Sequence, residues 1–408
     1  MARECFESNS ATTSGRPESQ VADILFEGHE LAFSKYGPRW KNLRRAAHRL
    51  LSNDASRAHL PIQRAESSSM MYDILEDPRN IYKHIQRYAV SVALSVAFGD
   101  RCPTSDDPMI EELFQMNRQL DKLVGPGGHP PVEVFGFLAY IPERWASWKE
   151  SCRSLRARQQ KYFLNLVDRC LDRMSSNKLN GSFMEYLLEH GAEYEIDREK
   201  AYYLGMSFIT GGSDTTADYL QFFVLCMLEN PAVLAKAQQE IDDVVGHENI
   251  PELEDLENLP YLRAVISELH RYRPVAPIGI PHAATVDTMV GGYLIPKGSM
   301  IIMNTWAIGR RKELFDDPEK FLPERFLTSE FGLKPGADTT GFRDTPFAFG
   351  GGRRVCPASY LASNSIALNA MNLLWAFGFN LPKDPNTGLS IPLDTNDTTD
   401  VVSHARKY

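Results

Sequence analysis

Apolar residues recur three and four positions apart from about residue 40 to 275, and the runs are broken by "GPGGHPP" (125–131) and "NGS" (180–182). That spacing puts them on one face of successive amphipathic helices, and the glycine and proline clusters end each helix. Between 278 and 305 the pattern changes to short apolar runs separated by Gly and Pro, which predicts strands and hairpins. A loop-rich section to 355 follows, then one more helix from about 357 to 377 and a tail rich in Pro, Gly and Asp. The expectation is one domain over 1–408, mainly α with a small β component and no internal repeat.

Composition narrows the function class. The chain has 408 residues, 43% of them hydrophobic, enough for a large core. A net charge of −9 gives no sign of nucleic-acid binding. Its six cysteines (Cys5, Cys102, Cys152, Cys170, Cys226, Cys356) lack the spacing of a disulfide framework or zinc site. "VSVALSVAFG" and "MNLLWAFGF" fall short of the roughly 20 residues that span a bilayer, and "MARECFESNSATTSGRPESQ" is too polar for a signal peptide. The reading is a soluble or peripherally membrane-bound chain.

The chemistry concentrates in "TPFAFGGGRRVCPASYLA" (345–362). Consecutive glycines permit positive φ and close backbone approach, while a helix starting near Pro357 aims free N–H groups at the Cys356 sulfur. Arg353 and Arg354 add positive charge that favours a thiolate or an anionic ligand. Three readings compete. A cysteine nucleophile lacks a nearby His, and a phosphate loop would read G-x-x-x-x-G-K-[ST], so a metal thiolate is the third.

Phe349, Gly350, Gly352, Arg354 and Cys356 form F-G-x-G-x-R-x-C, which resembles the haem-binding loop of the cytochrome P450 superfamily. The resemblance implies haem b with Cys356 as the axial thiolate ligand of its iron, a ligand that favours O–O cleavage. Ala358 stands where that family usually has glycine, so tighter packing without loss of haem is expected.

Three further segments resemble the same family. "FITGGSDTTADYLQFF" (208–223) sets Gly211 and Gly212 inside a helix pattern at a cost of roughly 1 kcal/mol each. It resembles the signature of a helix crossing the distal face of haem. The glycines would then open a groove through a local departure from helix bonding, and Asp214 and Thr215 would form an acid and alcohol pair that relays protons during dioxygen reduction. Glu268 and Arg271 in "ISELHRYRP", with Arg325 of "LPERF", resemble a buried charge network beneath the cysteine loop. Trp40 and Arg44 share a helix face and, with His282 and Arg354, resemble donors to the haem propionates. Arg39, Lys41 and Arg45 form either a positive face for an acidic electron donor or a solvated helix surface.

The resemblance covers nearly the whole chain and is closest to fungal members of the eukaryotic microsomal branch. It implies a monomeric monooxygenase of secondary metabolism, whose full-length relatives sit on the cytoplasmic face of the endoplasmic reticulum membrane. NADPH-cytochrome P450 reductase would supply electrons, and one atom of O2 would enter a hydrophobic small molecule. Phe208, Gly211, Gly212, Val275, Ala276 and Ile278 are candidate substrate contacts. The chain is expected to begin just before the Trp40 helix, without the family's anchor and first strands, and to have a short tail after 380, leaving a sheet edge unpaired around 296–304. A truncated relative without turnover, and an isomerase or dehydratase that needs no reductase, are the competing readings.

Overall fold

The computed structural model describes residues 1–125, 127–337, 347–381, 387–390, 398–399 and 404–405. Thr345 and Pro346 of the cysteine-loop approach, and much of the Pro/Gly/Asp-rich tail, lie outside the described residues.

Helices dominate. They are α1 (Ser10–Thr13), α2 (Gln20–Phe26), α3 (Pro38–Leu51), α4 (Asn53–Ala58), α5 (Leu60–Glu76), α6 (Ile81–Phe98), α7 (Pro108–Val124) and α8 (Ser147–Ser175). After them come α9 (Phe183–His190), α10 (Ala201–Glu229), α11 (Pro231–Val244), α12 (Pro260–Tyr272), α13 (Thr305–Gly309), α14 (Arg325–Thr328) and α15 (Ser359–Ala376). Local chemistry sets their limits. Pro38, Pro108, Pro231 and Pro260 stand at helix starts, where proline's missing N–H costs nothing. The Ser19 and Asp107 side chains accept from Ala22 N and Met109 N as N-caps, and Gly99 ends α6 at φ 72°.

The core is built around α10, buried along most of its 29 residues and packed against α6, α9, α12 and α15. The apolar runs of α6 and α15 are core faces, and no single helix among the described residues is long and apolar enough to cross a membrane.

Short antiparallel pairs supply the β component. β1 (His282–Ala283) pairs with β4 (Met300–Ile301), β2 (Thr288–Val290) with β3 (Tyr293–Ile295), and β5 (Thr398–Thr399) with β6 (His404–Ala405). Met300–Ile301 is therefore paired on its β1 side, and among the described residues no strand pairs with its other edge. Gly15 then bridges Ala283 through two backbone hydrogen bonds of 3.0 Å, so residues before Trp40 extend the pairing. Those residues also carry a helical turn (Glu4–Ser8) and the helices α1 and α2, which short, polar segments concealed.

Candidate active site

The cysteine loop closes on itself. Cys356 N donates to Phe349 O (2.8 Å) and Gly350 N to Phe347 O (2.9 Å). Gly350 and Gly352 have φ of +79° and +60°, and a Cβ at Gly352 would lie 1.9 Å from Phe6 O, so only glycine fits there. Ala358 has φ −97°, a conformation open to any L-residue, which removes any need for glycine at that position.

Five of the six cysteines are buried, and Cys356 alone keeps intermediate exposure. The Ala358 N–H and the Arg44 guanidinium pull its thiol down, yet desolvation by the surrounding protein outweighs them and raises it. The expected thiolate is thus not favoured by the protein's charges alone. Arg354 does not serve the sulfur, and Arg353 is exposed with its guanidinium on the Tyr36 hydroxyl. Arg44, whose Nη1 donates to Val355 O (2.7 Å), is the nearby cation.

Arg354 instead reaches back to the first 40 residues. Its guanidinium donates to Ser14 O (3.0 Å), Leu31 O (3.4 Å) and Ser34 O (2.7 Å) and lies 4.4 Å over the buried Trp40 ring. Arg16, which lies in no motif of the sequence, donates to Ala32 O (2.6 Å), Ile280 O (3.0 Å) and Pro281 O (2.9 Å). His282 Nδ1 lies 2.9 Å from Thr13 O with its ring edge-on to Phe6. Trp40, Arg44, His282 and Arg354 are therefore gathered, with Arg16 added.

The charges of this cluster do not balance. Burial drives Arg354 down to about 9, with Arg16 and Arg44 adding repulsion, and burial drives Arg16 to about 10. His282 falls to about 4 through burial and the same two arginines, Arg16 and Arg354. Glu30 opposes these shifts, but its oxygens accept from Ser207 Oγ (2.7 Å) and Phe33 N (2.9 Å). Half-buried guanidinium groups in excess of carboxylates favour an anionic ligand.

On α10, Phe208, Gly211, Gly212 and Thr215 share one face. Helix bonding is continuous through the glycines, so the expected departure is not found. The opening comes from missing side chains, because a Cβ at Gly211 would meet nothing within 4 Å. Gly211 is exposed in the middle of a largely buried helix, and Thr215, its Oγ1 donating to Gly211 O (2.7 Å), is half-buried. Asp214 is buried, and its Oδ2 accepts from Asn117 Nδ2 of α7 at 2.8 Å. One turn on, the Tyr219 ring lies 4.6 Å from His270, whose ring meets Phe349 at 5.3 Å. This aromatic chain, with a His270 that burial holds near 4, links α10 to the cysteine loop.

Glu268, Arg271 and Arg325 form one network. The Arg271 fork donates Nε and Nη2 to the Glu268 oxygens, both at 2.7 Å, and Arg325 Nε lies 3.1 Å from Glu268 Oε2. Arg271 also donates to Gly309 O, Pro318 O and Lys320 O, which ties α12 to the loop after α13.

The remaining candidates divide. Phe208 packs edge-on to Phe183 at 4.9 Å. Val275, Ala276 and Ile278 are half-buried in a turn fastened by Thr305 Oγ1 to Ala276 O and Pro277 O. A cavity of about 530 Å³ lies beside Arg16, lined by Phe26, Phe33, Val124, Pro131 and Ile280, and contains none of the six predicted substrate contacts. On α3, Arg45 is committed to Glu193 O and the Tyr194 ring, whereas Lys41 is exposed.

This arrangement fits haem. Cys356, half-buried at the end of the glycine loop, is of the residue type that ligates haem iron. The cationic cluster matches the propionates such a group carries.

Comparison with known proteins agrees. The cytochrome P450 family profile matches residues 1–400. A cytochrome P450 monooxygenase of Armillaria gallica is 42% identical over 395 residues, covering 97% of this chain and 75% of the relative. The cytochrome P450 monooxygenase patI of Penicillium expansum is 32% identical over 380 residues, covering 92% and 72%. A zebrafish cytochrome P450 solved with progesterone aligns at a TM-score of 0.80 and 25% identity, covering all of this chain and 90% of that one. With the profile spanning nearly its full length, this chain belongs to the cytochrome P450 family and is a P450 monooxygenase.

Proposed function

We propose that Cys356 ligates haem b and that the enzyme inserts one oxygen atom from O2 into a hydrophobic small molecule of secondary metabolism. NADPH-cytochrome P450 reductase would supply the electrons. The observation that carries this reading is the half-buried cluster of Arg16, Arg44 and Arg354 around Trp40 and His282, three cations facing the single carboxylate of Glu30, next to a glycine loop ending in the half-buried Cys356. When bound, haem supplies the redox chemistry that activates dioxygen.

The chain's own residues bind, orient and move protons. Arg16, Arg44, Arg354, Trp40 and His282 would hold the propionates. The Ala358 N–H donates to the sulfur and favours its ionised form. The Glu268, Arg271 and Arg325 network fixes the backbone beneath the loop. The missing side chain at Gly211 leaves room for dioxygen, and Asp214, oriented by Asn117, passes protons through the Thr215 hydroxyl. The cavity beside Arg16 serves as an apolar approach for substrate.

The test is incubation of the haem-loaded enzyme and reductase with an apolar metabolite extract under isotopically heavy dioxygen. Products gaining one heavy oxygen atom only with NADPH and reductase are expected. Unlabelled products formed without NADPH would favour the isomerase or dehydratase reading.

A further inference from the structure

Helix α15 begins three residues after Cys356, so its position sets where the sulfur lies. One face of it is polar although buried. Ser365, Asn369 and Asn372 stand four and three apart, and each is at most 5% exposed. Opposite them lie Gln63 and Ser67 on α5 and Tyr88 on α6, all fully buried.

These side chains form a ladder. Gln63 Nε2 donates to Ser365 Oγ (2.6 Å) and to Leu361 O (2.9 Å), five residues from the cysteine. Tyr88 Oη donates to the same Ser365 Oγ (3.0 Å). Ser67 Oγ donates to Asn369 Oδ1 and accepts from Asn372 Nδ2, both at 2.8 Å, and Asn369 Nδ2 donates to Ser365 O (2.7 Å). At the far end Gln238 Nε2 of α11 donates to Leu374 O (3.0 Å) and Phe377 O (2.9 Å).

Apolar contacts are non-directional, whereas the bonds of a buried hydrogen-bond ladder are made in one register only. One residue of slip moves a helix about 1.5 Å, while a metal–ligand bond tolerates about 0.2 Å. We propose that Gln63, Ser67, Tyr88, Ser365, Asn369 and Asn372 are positioning residues that fix the axial register of α15 and thereby the Cys356 sulfur. This rests on the reading of Cys356 as the haem ligand.

The experiment measures, in haem-loaded protein reduced under carbon monoxide, how fast the red-shifted thiolate band converts to the shorter-wavelength band of a lost thiolate. Tyr88→Phe and Ser365→Ala each remove ladder bonds with little change in volume. Conversion about fivefold faster is expected, equivalent to one buried hydrogen bond of about 1 kcal/mol. Ser365→Thr, which keeps the hydroxyl, should restore the slow rate. Met70→Ala, a fully buried truncation on α5 outside the ladder, should lower the melting temperature without speeding conversion. Equal rates in wild type, Tyr88→Phe and Ser365→Ala would overturn the inference, as would a Met70→Ala rate matching theirs. A thiolate band persisting in Cys356→Ser would instead refute the ligand reading beneath it.

Discussion

Arg354 shows how a single residue joins sequence and site. Its spacing from Cys356 marks it as part of the loop motif, but its guanidinium leaves the loop and lies over Trp40 among the carbonyls of Ser14, Leu31 and Ser34. Arg16 sits in a polar segment with no periodicity, and its importance appears only where the chain brings it to the carbonyls of Ile280 and Pro281. No local signal reports a meeting across some hundreds of residues. Arg16→Leu should weaken haem retention roughly 5- to 30-fold, read as the rate of haem transfer to apomyoglobin. The exposed Arg353→Leu should leave that rate unchanged. Thr215→Ala, which removes the hydroxyl one residue after Asp214 in the chain, should cut product formed per NADPH at least about tenfold, with hydrogen peroxide accounting for the balance.

Among the elements, helix limits were legible wherever glycine or proline supplied them. α7 stops at Val124 before "GPGGHPP", and α9 starts just after "NGS". Less legible was the effect of Gly211 and Gly212, since regular bonding survives when Ser213 and Thr215 hydroxyls bond back to Ile209 O and Gly211 O. The link from α12 to the loop after α13 rests on charge. Glu268 and Arg271 are fully shielded from solvent, so the pair is worth far more intact than broken. Glu268→Gln leaves two arginines underpaired and should destabilise the protein by about 3–5 kcal/mol, seen as a lower urea midpoint. Lys320→Ala, whose side chain pairs at the exposed surface with Asp317, should cost less than about 1 kcal/mol.

For the whole molecule, the mainly helical class was legible from periodicity, but the joining of the first 40 residues to β1 and the cysteine loop was not. Gly15 pairs with Ala283, and Glu7 Oε1 accepts from Gly352 N at 2.8 Å, contacts that depend on tertiary folding alone. Stability should also carry a pH signature from His270, enclosed between Tyr219 and Phe349. Its folded-state value is lowered to about 4 by burial, so the unfolded chain binds a proton that the folded chain does not between that value and an ordinary 6.5. Stability therefore falls as pH drops from 6.5 to 4, by about 2–3 kcal/mol from this group. Chemical denaturation of wild type and His270→Leu across that window should show a shallower acid loss in the variant.

The central claim is that Cys356 is the thiolate ligand of haem iron. The reduced-minus-oxidised carbon monoxide difference spectrum of the haem-loaded protein, beside Cys356→Ser, tests it most directly. A strongly red-shifted Soret band present in the wild type and absent from the variant is predicted. A wild-type spectrum with only the shorter-wavelength band, or the same red-shifted band in both proteins, would contradict it.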